Sequence, residues 1–390
     1  MKVVVNQLIC SILFVCLPFL TGAQVSASQN VVYGEVEYLR QQSPENVFRI
    51  FLDREGHLYP ETLISDEDLR SADASLFQWA EARPQEFDLI LYSYEIELPD
   101  NTEQAERFEA LQERLAQDWI SRLNGVLKDD AVLNVLVHGF RKSVHPGQSA
   151  RTSVDDITTL REALMKDPPA GKNIYLEVYW DGTFDCCFGT KLRENARLFE
   201  LFETEARRNA VAAGYGLRRV VSDLIVDQLN VVTHSLGARV GMSLLLDAYV
   251  DAQVPGKEWH TPQQAKVKTL LVAPAIDGKE EFSHYQDRCS MLPYQTADNY
   301  EIMVLFNRKD FVLRKKDPML YLFGPGARGK GSTRLGCDRF GMVNKVQRKL
   351  HSLGFPDALQ TIDFQTMGRC HLVKCYVRDP QFEMALDFLR

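Results

Sequence analysis

The stretch Leu229-Asn230-Val231-Val232-Thr233-His234-Ser235-Leu236-Gly237-Ala238-Arg239-Val240-Gly241-Met242-Ser243 decides how the chain is read. Its first residues are an apolar, β-branched run that predicts a strand, and those after Ala238 open a helix. Between them lies a short turn with a serine at its centre. Strand, tight turn, serine and helix in that order push a hydroxyl out at the carboxyl end of a sheet. The helix N-terminus behind it offers N–H groups and positive potential to a developing oxyanion. Small residues are needed two positions before and two after the serine, because the strand and helix backbones converge there. Gly237 meets that demand; Thr233 stands where glycine is usual.

A second signal lies upstream. Leu133-Asn134-Val135-Leu136-Val137-His138-Gly139-Phe140 reads as a buried strand running into His-Gly-Phe. A loop after an earlier strand must supply the other oxyanion donor, and glycine lets its backbone approach. The expected oxyanion hole is therefore the N–H groups of Leu236 and Phe140, with His138 ordering its loop and His234 structural.

Outward from these two strands, the chain beyond Asp130 alternates short apolar strands with helical segments. The strands are Val132–Val137, Ile174–Val178, Leu229–Val232, Lys268–Ala273 and Tyr300–Phe306; the helices include Leu192–Val211 and Ala238–Ala248. That alternation predicts an α/β fold, a mostly parallel sheet with helices on both faces, over 131–390. Residues 24–130 are expected to extend that sheet or cap it. From about Val31 to Glu97 they read as β-rich, on the runs Val47–Leu52 and Phe87–Tyr92. An amphipathic helix then carries Ala105, Phe108, Leu111, Leu115, Trp119 and Leu123, opened by Asn101 or Thr102 and closed by Gly125.

With these motifs the chain resembles the α/β-hydrolase superfamily, in particular a lipase/esterase-like branch of bacterial proteins of unassigned function. The likeness rests on Val137-His138-Gly139-Phe140, Thr233-His234-Ser235-Leu236-Gly237, Leu271-Val272-Ala273-Pro274-Ala275-Ile276-Asp277 and the acid and histidine named next. It spans about Asp130 to the C-terminus and not the N-terminal third. The resemblance implies an α/β-hydrolase fold and the chain order serine, acid, histidine, with the acid after a late strand.

A serine hydroxyl is a poor nucleophile until an imidazole takes its proton, and a buried carboxylate must fix that imidazole. Two acids qualify by position. Asp310 follows the strand Tyr300–Phe306 and is preferred; Asp277 ends the preceding strand and otherwise reads as a helix cap or loop-ordering carboxylate. For the base, His371 follows the apparent strand Ile362-Asp363-Phe364. His351 lies on the polar face of a helix and is the alternative, and His284 precedes the late strand and breaks the order. Between acid and base runs a long excursion, 313–362, with Arg314, Lys315, Lys316, Arg328, Lys330, Arg334 and Arg339. It reads as a solvated surface loop, or else as a basic flap favouring anionic substrates. Trp180-Asp181-Gly182 is expected in the pocket wall.

Composition fixes the class and compartment. The 390 residues are 45% hydrophobic and 25% charged, within the globular range. A formal charge of −8 gives no footprint for general nucleic-acid binding. The chain has no dinucleotide or phosphate-loop glycine pattern and no HExxH, and the expected chemistry requires no metal and no organic cofactor. Lys2, an apolar run from Leu8 to Leu20 and small residues at Gly22, Ala23, Ser26 and Ala27 read as a signal peptide, 1–23, cleaved after Ala23 or Ala27. A retained anchor is the competing reading, and no later segment is long and apolar enough for a membrane span. Of 8 cysteines, Cys10 and Cys16 fall in this leader. The even remainder, Cys186, Cys187, Cys289, Cys337, Cys370 and Cys375, favours disulfides in a secreted or periplasmic chain, although some buried thiols are common. A Cys370–Cys375 bridge would stiffen the loop of His371. The sequence thus predicts an exported serine esterase acting on a small-molecule or lipid-like acyl substrate. The alternatives are thioester or peptide cleavage by the same residues, or a catalytically silent binding protein.

Overall fold

A computed structural model describes residues 44–60, 75–128, 130–142, 153–184, 202–246, 266–278, 281–282, 300–314, 333–355 and 357–390. The leader, Cys186, Cys187, Cys289, His284 and residues 315–332 of the excursion lie outside the described residues. Among the described residues, seven strands form one sheet: β1 (Val47–Leu52), β2 (Ala131–Val137), β3 (Lys172–Trp180), β4 (Gln228–His234), β5 (Lys266–Val272), β6 (Tyr300–Phe306) and β7 (Leu359–Asp363). Their order is β1-β3-β2-β4-β5-β6-β7, and every neighbouring pair is parallel. A two-residue parallel pair, Arg141–Lys142 with Thr183–Phe184, sits beyond the ends of β2 and β3.

The near-continuous apolar runs explain this sheet. All seven residues of β2 are buried, and six of the seven in both β4 and β5, as expected of strands covered on both faces. The helices are α1 (Leu76–Ala82), α2 (Pro84–Ser93), α3 (Gln104–Asn124), α4 (Ser153–Lys166), α5 (Arg207–Val221), α6 (Gly237–Leu246), α7 (Met342–Ser352), α8 (Val373–Arg378) and α9 (Phe382–Leu389). They pack in groups, α3 and α6 on α5, and α4 and α9 on α8. Of the helix expected over Leu192–Val211, residues 192–201 lie outside the described residues; the rest is a π-helical turn, Phe202–Ala206, that leads into α5, which runs on to Val221.

The β-rich reading of the N-terminal third is corrected. Within residues 44–60 and 75–97 only Val47–Leu52 is a strand, and Phe87–Tyr92 lies inside α2. Pro84 at the first helical position pre-sets its backbone. Phe87, Ile90 and Leu91, spaced by three and one, are buried, whereas Leu89 and Tyr92 are 59% and 83% exposed. The run is therefore amphipathic at the helical period, which its uniform apolarity disguises. The same helix-stripe logic holds for α3, which buries Phe108, Leu111, Leu115, Trp119 and Leu123, with Glu103 as its N-cap.

A line of side-chain amides crosses the interior of the sheet. Asn134 Nδ2 donates to Asn173 Oδ1 (3.1 Å), Asn230 Nδ2 to Asn134 Oδ1 (2.9 Å) and Gln228 Nε2 to Asn230 Oδ1 (2.9 Å). Gln228 Nε2 also donates to the Leu389 carbonyl of α9 (2.6 Å). Asn134 and Asn230 are fully buried and stand opposite each other in the β2–β4 register.

Candidate active site

The chain runs from β2 to one side, β3, and then crosses to β4 on the other side of β2, after which the strands continue in that direction. The order therefore reverses between β2 and β4, where an open α/β sheet leaves a crevice at its carboxyl ends. The two motifs His138-Gly139-Phe140 and His234-Ser235-Leu236 end those two strands.

Ser235 has φ 51°, a left-handed conformation that costs a non-glycine residue about 1–2 kcal/mol. Three backbone hydrogen bonds hold it. Its N–H donates to the Val272 carbonyl (2.9 Å), and its carbonyl accepts from Ala238 N–H (3.2 Å) and Ala275 N–H (2.8 Å). Two glycines interlock the motifs. A Cβ on Gly237 would stand 2.4 Å from the His138 carbonyl oxygen, and one on Gly139 would stand 2.8 Å from the Cβ of Ser235. Thr233, in place of glycine, is accommodated differently. Its Cγ2 faces Gly241 of α6, where a Cβ would lie 3.0 Å away, so the missing side chain is moved to the helix. At the far end of α6, buried Arg218 donates from Nε to the Leu244 carbonyl (3.1 Å) and from Nη2 to the Ser243 carbonyl. A cation there complements the negative end of the helix whose positive end faces Ser235.

The structure brings Ser235, His371 and Asp310 together in one line. His371 Nε2 lies 3.0 Å from Ser235 Oγ, and His371 Nδ1 lies 2.6 Å from Asp310 Oδ2. All three are buried, Asp310 completely. The other oxygen of Asp310, Oδ1, accepts from the N–H groups of Val312 (2.9 Å) and Leu313 (3.1 Å), which fixes the carboxylate plane. Around it, burial and then the Asp310 charge push the Cys337 thiol up to about 11 and the Tyr376 hydroxyl well above its ordinary value. Cys337 is a free buried thiol, whereas Cys370 and Cys375 form a disulfide around the His371 loop.

The alternatives fall elsewhere. Asp277 is half-buried and faces Arg334 Nε at 3.3 Å, while its N–H donates to Glu281. His351 is exposed on α7.

His138 determines the set of the loop Gly139–Phe140, the one expected to supply an oxyanion donor. The Trp180 N–H can only donate, and it reaches His138 Nε2 (3.2 Å), so the ring proton sits on Nδ1, which contacts the Gly139 carbonyl (2.7 Å). That carbonyl and the N–H of Phe140 belong to one trans peptide and point in opposite directions, so the Phe140 N–H faces away from the ring. Trp180 stacks on His138 with centroids 5.5 Å apart, and its Nε1 donates to the His138 carbonyl (3.0 Å). Phe140 meets Phe202 of the π-helical turn edge-on at 5.8 Å.

One contributor is absent from the sequence reading. Asn307, at the end of β6, donates from Nδ2 to the carbonyls of Gly368 (2.9 Å) and Cys370 (3.1 Å), tying the His371 loop to the strand that carries the acid. The only signal for it was its place directly after an apolar strand.

No family model, curated protein or solved structure matches the chain. The fold defines the class: an α/β protein with a seven-stranded parallel sheet and flanking helices among the described residues, compatible with the α/β-hydrolase architecture. Among the described residues there is no cluster of metal-ligating side chains and no helix long and apolar enough to cross a membrane.

Proposed function

We propose that the chain is an exported serine hydrolase of α/β-hydrolase type, esterase- or lipase-like, that cleaves a carboxylic ester through an acyl-enzyme. One observation carries the reading: the unbroken line Ser235 Oγ, His371 Nε2 and Nδ1, Asp310 Oδ2, with steps of 3.0 and 2.6 Å, at the switch point of the sheet. Ser235 Oγ attacks the acyl carbonyl as its proton passes to His371 Nε2. Asp310 holds the tautomer that leaves Nε2 free to accept and then balances the imidazolium. The tetrahedral oxyanion takes hydrogen bonds from the N–H groups of Leu236 and Phe140, each worth about 10²–10³ in rate. His371 returns the proton to the leaving group, and water activated by the same ring releases the acid. Phe140 and Phe202 offer an apolar wall for the acyl chain. Export is supported by the leader composition and by the Cys370–Cys375 bridge, which suits an oxidising compartment.

A fluorophosphonate probe tests the machinery. The wild-type chain is expected to label and Ser235→Ala to stay blank; a blank wild type refutes the proposal and favours a silent binding protein. Hydrolysis of p-nitrophenyl esters of graded chain length tests the substrate class. Inertness to all of them with turnover of a thioester or peptide replaces the ester.

A further inference from the structure

His234 immediately precedes the nucleophile and is fully buried. Its Nδ1 lies 3.1 Å from Asp156 Oδ2 of α4, and its Nε2 lies 2.9 Å from the backbone carbonyl of His371. We propose that Asp156 and His234 are a second acid–imidazole pair whose work is to position the base of the first; the proposal rests on the Ser235–His371–Asp310 reading.

The proton inventory supports it. A carbonyl only accepts, so the His371 carbonyl requires the proton of His234 on Nε2. Nδ1 then needs a second proton between itself and the carboxylate of Asp156. The pair holds that proton whichever atom carries it, and the result is a donor locked onto the base loop. Asp156 thus does for His234 what Asp310 does for His371, but the far nitrogen meets a backbone carbonyl rather than a hydroxyl. His234 is therefore a positioning residue and touches no reacting atom.

The loop it holds explains the need. Between the short 3-10 turn Gln365–Met367 and α8, the segment 368–371 has no regular structure. Its carbonyls are held one by one: Gly368 and Cys370 by Asn307 from the acid strand, and His371 by His234 from the nucleophile turn. The base is thereby referenced to both of its partners. The link to the nucleophile is short, because His234 and Ser235 are consecutive residues of one rigid turn. The His234 ring also stands 5.0 Å from the His371 ring, centroid to centroid, and closes that side to other rotamers. A displacement of about 1 Å at such a site costs about 100-fold in rate.

The test uses the geometry of amide replacements. Glutamine places its Nε2 near that of histidine and keeps a donor for the His371 carbonyl; asparagine places its amide near Nδ1 and keeps only the Asp156 side. Second-order rates of fluorophosphonate labelling and melting temperatures are measured for the full chain and its variants. His234→Gln is expected to label within about fivefold of wild type, and His234→Asn and Asp156→Ala about 10–100-fold more slowly, without a matching order in melting temperature; Asp156→Asn, whose amide can donate to Nδ1 while Nε2 keeps its proton, is expected to stay near wild type. His234→Asn labelling as fast as His234→Gln, or rates that simply follow melting temperature, would overturn the proposal. If His234→Asn does not fold, Asp156→Ala, which leaves the turn untouched, must still label at least tenfold more slowly, and a wild-type rate there overturns it as well. Failure of the underlying triad has a different signature: a wild type that labels no faster than Ser235→Ala.

Discussion

Replacing Asp181 by asparagine is expected to change the pH dependence of stability in one direction. Asp181 follows β3, is 2% exposed, and neither carboxylate oxygen has a hydrogen-bond partner among the described residues. Arg54 Nε stands 3.5 Å away. Burial pushes the carboxyl up from 3.8 to about 7; Arg54 opposes the shift, and Asp53 and Glu205 add to it. A raised carboxyl pKa means that the folded state binds a proton the unfolded chain has released. Its stabilising contribution is complete below the unfolded value of 3.8 and is lost as pH rises through about 7. From pH 5 to pH 8 about two units of that window are crossed, worth about 3 kcal/mol at 1.36 kcal/mol per unit. At roughly 2 °C per kcal/mol for a large domain, that is a shift of about 6 °C. Asparagine carries no titrating charge, so other groups cancel when the variant is compared with wild type at each pH. In melts followed by circular dichroism, the variant should gain about 6 °C on wild type between pH 5 and pH 8. A constant difference, or a variant that loses ground as pH rises, would refute the assignment of a protonated buried carboxyl.

Three further outcomes are expected. Asp310→Asn should slow fluorophosphonate labelling by about 10³–10⁴, because an amide no longer fixes the His371 tautomer, whereas Asp277→Asn and His351→Ala should label at the wild-type rate. Gly237→Ala would set a methyl 2.4 Å from the His138 carbonyl oxygen and should lower stability by about 3 kcal/mol in denaturant titration; an unchanged midpoint would mean that the turn is looser than described. Cys375→Ser opens the small loop around His371 and should cost about 2 kcal/mol while slowing labelling several-fold. Retention of both would leave Asn307 and His234 as the loop's sufficient anchors.

The parallel core was legible because β2 and β6 are apolar along nearly their whole length, and β4 and β5 carry the shorter apolar runs Val231-Val232 and Leu270-Leu271-Val272, a pattern typical of strands buried on both faces. The residues now found in line were legible for a different reason. Ser235, Asp310 and His371 each follow a strand or an apparent one, and a parallel sheet gathers strand ends at one edge. Phe87–Tyr92 was misread because a run of six residues, five apolar or aromatic and one aspartate, satisfies both periods, and only burial against α3 selects the helix. Asn307 and the Asp156–His234 contact were illegible in principle. Their meaning depends on which carbonyl arrives from 61 or 137 residues away, and no local pattern encodes that.

The buried amides of the sheet have a consequence of their own. Strands as thoroughly buried as β2 and β4 could slide by two residues past each other and still be covered on both faces, so burial alone marks no zero on the scale. Asn134 against Asn230, with Asn173 and Gln228 on either side, acts as a vernier: one alignment matches every graduation, and each mismatch strands a buried amide at about 1–3 kcal/mol. Because Ser235 and Phe140 sit just beyond the far ends of those two strands, the same graduations that align the interior also set the Ser235 turn level with the loop beside it.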